Sequence, residues 1–228
     1  PENAIPYINQ KGLVDRNNNP KDAFYVFKSY WNDTTPFAYI ESHTWTERQG
    51  PKGLKRAVSV YSNCPEVELF LNGKSMGTKK RNTKSFPAAG LNWNVSFTDG
   101  ENVLEAVGKT TSGIEVTDKL KVNYRITKNG TAKSLALVYT QLENGNYLVT
   151  ATARDKNGLR VLDFEERVYF QCLSGGNTHK AMGTPTGSEV IEMANGKASI
   201  EVVRAHKNIP LKMMVLSQNF KGTYLTIK

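Results

Sequence analysis

The stretch Val58–Gly77 constrains the fold of this chain more than any other. In its second half, Val67, Leu69 and Leu71 alternate with glutamate and phenylalanine residues. A period of two residues is that of a β-strand with one buried face. Asn72-Gly73 follows at once, and this dipeptide favours a two-residue hairpin turn because both central residues need positive φ. The stretch therefore predicts paired antiparallel strands.

The same pattern of short strands and glycine turns continues to the end of the chain, which is typical of β-sandwiches. The polar segment 127–131 interrupts it and predicts a domain boundary. The predicted strands before this boundary are 37–45, 55–62, 66–72, 74–79, 92–97, 101–108 and 113–125. The predicted strands after it are 134–139, 147–154, 167–172, 188–193, 197–203, 211–216 and 222–228. We expect an all-β protein with two tandem sandwich domains, residues 33–128 and 131–228.

One helix is predicted ahead of the sandwiches, at about residues 20–31. Asn19 suits an N-cap, Pro20 suits the first helical position and Asp22 suits the first turn. The helical spacing groups Ala23 with four aromatic residues, Phe24, Phe27, Tyr30 and Trp31. Such an aromatic stripe needs a large apolar partner, which is either absent from these 228 residues or supplied by the sandwiches.

Composition narrows the functional classes. The 228 residues carry a net charge of +9, spread evenly along the chain. The one tight basic cluster, Lys79, Lys80, Arg81 and Lys84, is interpreted as a solvated turn and not as a nucleic-acid groove. No apolar run is long enough for a membrane span. Residue 1 is Pro and not Met, so we expect a piece of a longer or processed chain.

Cysteine and histidine residues indicate neither disulfide nor metal chemistry. Cys64 and Cys172 fall in different predicted domains, so both are expected to be free and mostly buried. His43, His179 and His206 are far apart in the sequence and match no zinc spacing. We therefore expect no metal and no cofactor.

The opening stretch also carries a resemblance. Tyr61-Ser62-Asn63 and the run Val67–Gly77 resemble the β-sandwich domain that follows the catalytic barrel in glycoside hydrolase family 2, the β-galactosidase-like group. Gly12–Arg16 and Asn19–Trp31 resemble the end of the TIM barrel of the same enzymes, so residues 1–32 would be the barrel's tail. Val149–Gly158 resembles the strand and turn of bacterial immunoglobulin-like domains, which implies that fold for residues 131–228.

This resemblance implies a non-catalytic C-terminal fragment that braces the barrel and shapes its cleft. The parent would be a retaining enzyme that hydrolyses β-linked glycosides such as β-galactosides. Its partners would be the barrel and a carbohydrate substrate, and it would be periplasmic or secreted. The family's Asn-Glu acid/base motif does not occur here, so no catalytic residue is assigned and the fragment alone should be inactive.

Two other classes stay open, an adhesin-like tandem of immunoglobulin-like modules and a carbohydrate-binding module. Trp45 and Trp93 are the candidate carbohydrate-binding residues, because an exposed aromatic ring can pack on the apolar face of a sugar. The alternative for each is a place in a sandwich core. The aromatic helix favours the enzyme fragment over the adhesin, which has no use for a barrel helix.

Overall fold

A computed structural model describes residues 12–14, 18–178, 189–206 and 208–228. These residues form one helix, α1 (Asp22–Trp31), and sixteen strands. They divide into two compact units, one made by residues 10–128 and the other chiefly by residues 129–228. The all-β sandwich fold predicted from the sequence is confirmed. No helix within the described ranges is long and apolar enough to cross a membrane.

The first unit pairs a three-stranded sheet, ordered β1-β3-β6, with a five-stranded sheet, ordered β2-β8-β7-β4-β5. All its strand pairs are antiparallel except that of β2 with β8. The alternating apolar residues of the two sheets, such as Val60, Leu69 and Val122, meet in one buried core. The strands are β1 Ala38–Ile40, β2 Glu47–Gln49, β3 Lys55–Ser62, β4 Glu66–Leu71, β5 Lys74–Lys80, β6 Asn92–Ser96, β7 Gly100–Lys109 and β8 Glu115–Arg125.

The predicted turn between β4 and β5 is present. Asn72 and Gly73 have φ of 52° and 77°, the left-handed values that a two-residue turn of this type requires. The Asn72 side chain also accepts a hydrogen bond from the Val103 amide at 2.8 Å and donates one to the buried Asn102 at 3.2 Å. The turn is therefore tied to the neighbouring strand β7, which supports a structural role.

The second unit contains two four-stranded antiparallel sheets, ordered β12-β14-β10-β9 and β13-β11-β15-β16. Its core is separate and includes Val149, Phe170, Ile200 and Met213. The strands are β9 Ser134–Gln141, β10 Tyr147–Arg154, β11 Arg167–Ser174, β12 Gly176–Thr178, β13 Val190–Glu192, β14 Lys197–Arg204, β15 Leu211–Leu216 and β16 Thr223–Ile227.

Buried Asp155 explains the strand-and-turn motif of the second unit. Its Oδ1 accepts hydrogen bonds from the amides of Asn157 at 2.8 Å and Leu159 at 3.0 Å. Its Oδ2 accepts one from the amide of Gly130 at 2.9 Å. One carboxylate thus closes the turn after β10 and holds the start of the unit. Residues 129–130, placed in the linker by the sequence, therefore group with the second unit.

Two local predictions were wrong. The N-cap of α1 is Lys21 and not Asn19, because Pro20 forms a β-bridge with Val14 and the helix begins two residues later than its composition suggested. The predicted strand 37–45 is only β1, and a separate strand β2 follows it where loop was expected.

Both cysteines are free, as predicted, although only Cys64 is fully buried and Cys172 is partly exposed. Several sequence predictions fall on residues 1–11, 15–17 and 179–188, which lie outside the described residues. They include most of the predicted barrel tail ahead of α1, the position of His179 and the start of the predicted strand 188–193.

We expect Gly73→Val to lower the stability of the first unit by about 1–3 kcal/mol, because a β-branched residue is strained at positive φ. No atom lies within 4 Å of where its Cβ would be, so the cost is backbone strain and not a clash. Thermal unfolding measures it. Gly73→Asn is the matched control, since Asn tolerates this conformation; equal melting temperatures for both variants would contradict the explanation.

A fragment of residues 129–228 should be soluble and unfold in one cooperative transition, because it has its own core and its own two sheets. Calorimetry of this fragment beside the whole chain is the measurement. A fragment without a cooperative transition would mean that the two units depend on each other for folding.

Candidate functional site

The candidate site is the junction between α1 and the first sandwich. Tyr25 of α1 lies flat against Tyr39 of β1, with ring centroids 3.5 Å apart and ring planes 5° apart. Val26 is buried beside Tyr61 of β3 and Ala88. The side of the helix that packs on the sandwich is therefore the one carrying Tyr25 and Val26, and not the stripe predicted from the sequence.

Two carboxylates hold this junction in place. Asp22 accepts a hydrogen bond from the Tyr39 hydroxyl at 2.7 Å and one from the Ser42 amide at 3.2 Å. Asp118 of β8 accepts one from the Ile40 amide at 2.7 Å. The loop that follows β1 is thus fixed from both sides, by the helix and by the five-stranded sheet.

His43 completes the cluster. Its Nε2 lies 2.7 Å from Asp118 Oδ2, and its ring stacks on Tyr39 with centroids 4.6 Å apart. Asp118, by its hydrogen bond above all, raises the pKa of His43, and the charge of Asp22 adds to this. When His43 is protonated, its imidazolium balances part of the negative charge that the two carboxylates bring to the junction.

Two tyrosines of the junction, Tyr39 and Tyr61, are kept neutral. Burial, followed by the hydrogen bond to Asp22, raises the pKa of Tyr39 far above its usual value. Burial, followed by the charge of Glu41, does the same for Tyr61. Both phenols therefore act as hydrogen-bond donors and packing surfaces, and neither is suited to proton transfer at neutral pH.

Arg81 fixes the other end of the helix. Its Nη2 donates to the carbonyl of Ser29 in α1 at 2.5 Å and its Nε to the carbonyl of Ser62 in β3 at 3.1 Å. Its guanidinium lies 5.4 Å from the ring centroid of Tyr30. The sequence placed Arg81 in a solvated basic turn, but it joins helix and sandwich.

The opposite side of α1 is apolar and exposed. Trp31 is 74% exposed and Phe27 is 36% exposed, and their rings lie 4.9 Å apart. Phe86, at 69% exposed, extends this surface through a contact with Tyr30 at 5.8 Å. We call Phe27, Tyr30, Trp31 and Phe86 the outer aromatic surface. Among the described residues, the first unit thus covers the side of the helix that carries Tyr25 and Val26 and leaves Trp31 largely exposed.

The two tryptophans predicted to bind sugar differ in their exposure to solvent. Trp93 is 4% exposed in the core of the first sandwich, and its Nε1 donates to the carbonyl of Gly77 at 2.9 Å. Its ring is covered and offers no face to a sugar, so its role in the structure is packing. Trp45 is 49% exposed in the loop before β2.

Arg48 lies beside Trp45. Its guanidinium carbon is 5.4 Å from the Trp45 ring and 5.8 Å from the Phe97 ring, and its Nε donates to the Trp45 carbonyl at 2.9 Å. Burial, followed by the charge of Arg56, lowers the pKa of Arg48. Trp45 is held in place by a cation, and sugar binding at this residue stays a prediction.

The two carboxylates of the junction are engaged in hydrogen bonds within the fold. Each already accepts hydrogen bonds from backbone amides and from a Tyr or His side chain. Within the described ranges, no group of three or more His, Cys, Asp or Glu side chains could hold a metal ion. Sequence reasoning missed this cluster because its hydrogen-bonded partners are separated by up to 78 residues.

Comparison with known proteins agrees with the resemblance seen in the sequence. Residues 53–117 match a family described as a domain of unknown function (DUF4982). A protein from Formosa agariphila described as a putative β-glucuronidase is 73% identical over 228 residues, which are the whole of this chain and 28% of that protein. The β-galactosidase BoGH2A of Bacteroides ovatus is 34% identical over 89 residues, 39% of this chain and 10% of that protein.

Among solved structures, the β-glucuronidase of Parabacteroides merdae superposes with a TM-score of 0.83 at 38% identity. The match covers 98% of this chain and 28% of that one. The chain is thus homologous to one part of the enzymes of glycoside hydrolase family 2, as its sequence predicted. It is more similar to these two β-glucuronidases than to the β-galactosidase, and it spans about a quarter of their length.

His43 should make the stability of the first unit depend on pH. The pKa of His43 is raised in the folded state above its usual value of about 6.5. The stabilisation of the folded state by protonated His43 is therefore complete below about pH 6.5, and it is lost as the pH rises through the raised pKa. We expect the melting temperature of the whole chain to exceed that of His43→Gln most near pH 5.5 and least near pH 9.

The control for this prediction is His206→Gln, because His206 is exposed and lies in the other unit. Its melting temperature should follow that of the unchanged chain at every pH. A difference between His43→Gln and the unchanged chain that stays constant from pH 5.5 to 9 would show that the imidazolium does not stabilise the junction.

Proposed function

We propose that this chain is the non-catalytic C-terminal part of a family 2 glycoside hydrolase and that it braces the catalytic barrel. The observation that carries the proposal is the two-sided helix α1. One side is fixed to the sandwich by Asp22, Tyr25 and Val26, while Phe27, Trp31 and Phe86 of the outer aromatic surface are exposed. Exposed apolar surface of this kind is typical of a protein interface. The partner we propose is the rest of the barrel that α1 would close.

The proposed lack of catalysis follows from the chemistry of the family. Retaining glycosidases need two carboxyl groups about 5–5.5 Å apart on either side of the scissile bond. The sequence contains no Asn-Glu acid/base motif. The junction carboxylates Asp22 and Asp118 are each occupied by hydrogen bonds that hold the fold. These observations favour catalytic residues on another part of the protein.

For the substrate of the whole protein we favour β-glucuronides over the β-galactosides first expected. The relative described as a putative β-glucuronidase matches the whole chain at 73% identity, whereas the β-galactosidase matches 39% of it at 34%. Bracing by this part would act on the cleft indirectly, by fixing the position of the last barrel helix. An adhesin-like role is less well supported, because it gives no use to the outer aromatic surface.

The purified chain should not hydrolyse 4-nitrophenyl β-glucuronide or 4-nitrophenyl β-galactoside, because it lacks the carboxylate pair. A chromogenic assay with the Parabacteroides merdae enzyme as positive control checks this. Turnover that disappears after a Glu→Gln change within this chain would refute the non-catalytic assignment.

The bracing role can be tested in a hybrid enzyme. This chain would replace the matching 28% of the Formosa agariphila relative, and the double variant Phe27→Gln, Trp31→Gln would be compared with the unchanged hybrid. We expect the double variant to lower the melting temperature of the hybrid by several degrees, because apolar contact with the barrel is lost.

The same double variant should lower the melting temperature of the isolated chain by less, since Trp31 is 74% exposed there and only Phe27, at 36%, is largely covered. Ile114→Gln in the hybrid is the matched control, because Ile114 is 57% exposed and far from α1 in sequence. If the double variant and Ile114→Gln affect the hybrid equally, the outer aromatic surface does not contact the barrel.

A further inference from the structure

A groove of about 500 Å³ lies on the second unit, at one end of the sheet ordered β13-β11-β15-β16. It is formed where β11 begins, where β13 ends and where the chain leaves β15. We call this cavity the β11 groove. Its lining residues are Glu165, Glu166, Arg167, Tyr169, Glu192, Gln218 and Asn219. All of them belong to one unit, and the outer aromatic surface belongs to the other.

Tyr169 provides the one aromatic surface of this lining. Its neighbours Val168 and Phe170 point into the core, so Tyr169 points outward and is half-buried. Gln218 Nε2 donates to its hydroxyl at 3.1 Å, which restrains the orientation of the side chain within the lining. Leu216 lies directly across from it on β15 and is 37% exposed. The groove therefore has a rigid aromatic platform next to an apolar side chain.

Hydrogen-bonding groups surround this platform. Arg167 and Glu192 are cross-strand partners on β11 and β13, yet no ion pair within 4.0 Å joins them to each other or to other described residues. Glu166 accepts a hydrogen bond from Asn219, which orients both side chains. Exposed carboxylates with unused acceptor capacity beside oriented amides can bind several hydroxyl groups at once.

The combination of an aromatic platform and polar groups on its rim is the chemistry that recognises a sugar. The apolar face of a pyranose ring packs on an aromatic ring, while the hydroxyl groups at its edge donate to carboxylates and accept from amides. We infer that the β11 groove binds a neutral oligosaccharide through Tyr169, Glu192 and Asn219. The inference does not depend on the proposed function, because groove and helix lie in different units.

The net negative charge of the lining favours neutral over acidic oligosaccharides. The lining has three glutamates and one arginine, although the chain as a whole carries a net charge of +9. A uronic acid would bring a further carboxylate next to Glu165, Glu166 and Glu192, which costs binding energy through like-charge repulsion. The ligand of this groove is therefore neutral, unlike the β-glucuronides proposed for the catalytic site.

The test is calorimetric titration of the intact chain, at physiological ionic strength, with cellohexaose, xylohexaose and mannohexaose as neutral probes and trigalacturonic acid as the acidic one. We expect saturable binding of at least one neutral probe and none of the acidic one. Tyr169→Ala should weaken that binding about tenfold through loss of the platform, and Tyr169→Phe should retain most of it.

Tyr224→Ala is the matched control. Tyr224 is 67% exposed on the same face of the same sheet, opposite Met214, and does not line the groove. It should leave binding unchanged. Should Tyr169→Ala prove unstable, Glu192→Ala tests the exposed rim and should also weaken binding.

Three results would each overturn the inference. The first is the absence of saturable binding for all three neutral probes at millimolar concentration. The second is tighter binding of trigalacturonic acid than of any neutral probe. The third is binding that Tyr224→Ala weakens as much as Tyr169→Ala does, which would place the sugar elsewhere on the sheet.

Discussion

The packing of α1 against the first sandwich depends on the hydrogen bonds that Asp22 and Asp118 accept. A partly buried carboxylate is costly unless hydrogen bonds and a nearby cation compensate for lost hydration. Asp22 obtains a tyrosine hydroxyl and a backbone amide, and Asp118 obtains a backbone amide and His43. These contacts require α1, the loop after β1 and strand β8 to meet in one arrangement, so the aromatic stack of Tyr25 on Tyr39 follows from them.

That arrangement gives the helix two different sides, and the difference connects structure with function. The side fixed to the sandwich makes α1 a rigid extension of the β-domain, held at its far end by Arg81. The outer aromatic surface remains available to another part of the protein. A helix held in this way can transmit the position of a sandwich to a catalytic barrel without supplying any catalytic group, which is the role we propose.

The two units use their sheets differently. In the first, the tryptophan of strand β6 is covered by the core, and the exposed Trp45 is held by Arg48. In the second, the outer face of one sheet carries Tyr169 in a groove lined with carboxylates and amides. If both proposals hold, bracing and sugar binding are separate properties of the two units, each set by which face of a sheet remains outside its core.

The sequence by itself determined most of the long strands and the turns between them. Alternation such as that of Val67, Leu69 and Leu71 is a local property, and so is the positive φ that Asn72-Gly73 adopts. The aromatic content of α1 likewise predicted that it needs a partner. Only the tertiary structure decided which side of α1 is buried and how Asp22, His43 and Asp118 come together, because up to 78 residues separate the contacting groups. The tertiary structure also decided the burial of Trp93 and the formation of the β11 groove. Both depend on which strands become neighbours, and no local pattern of the sequence specifies that.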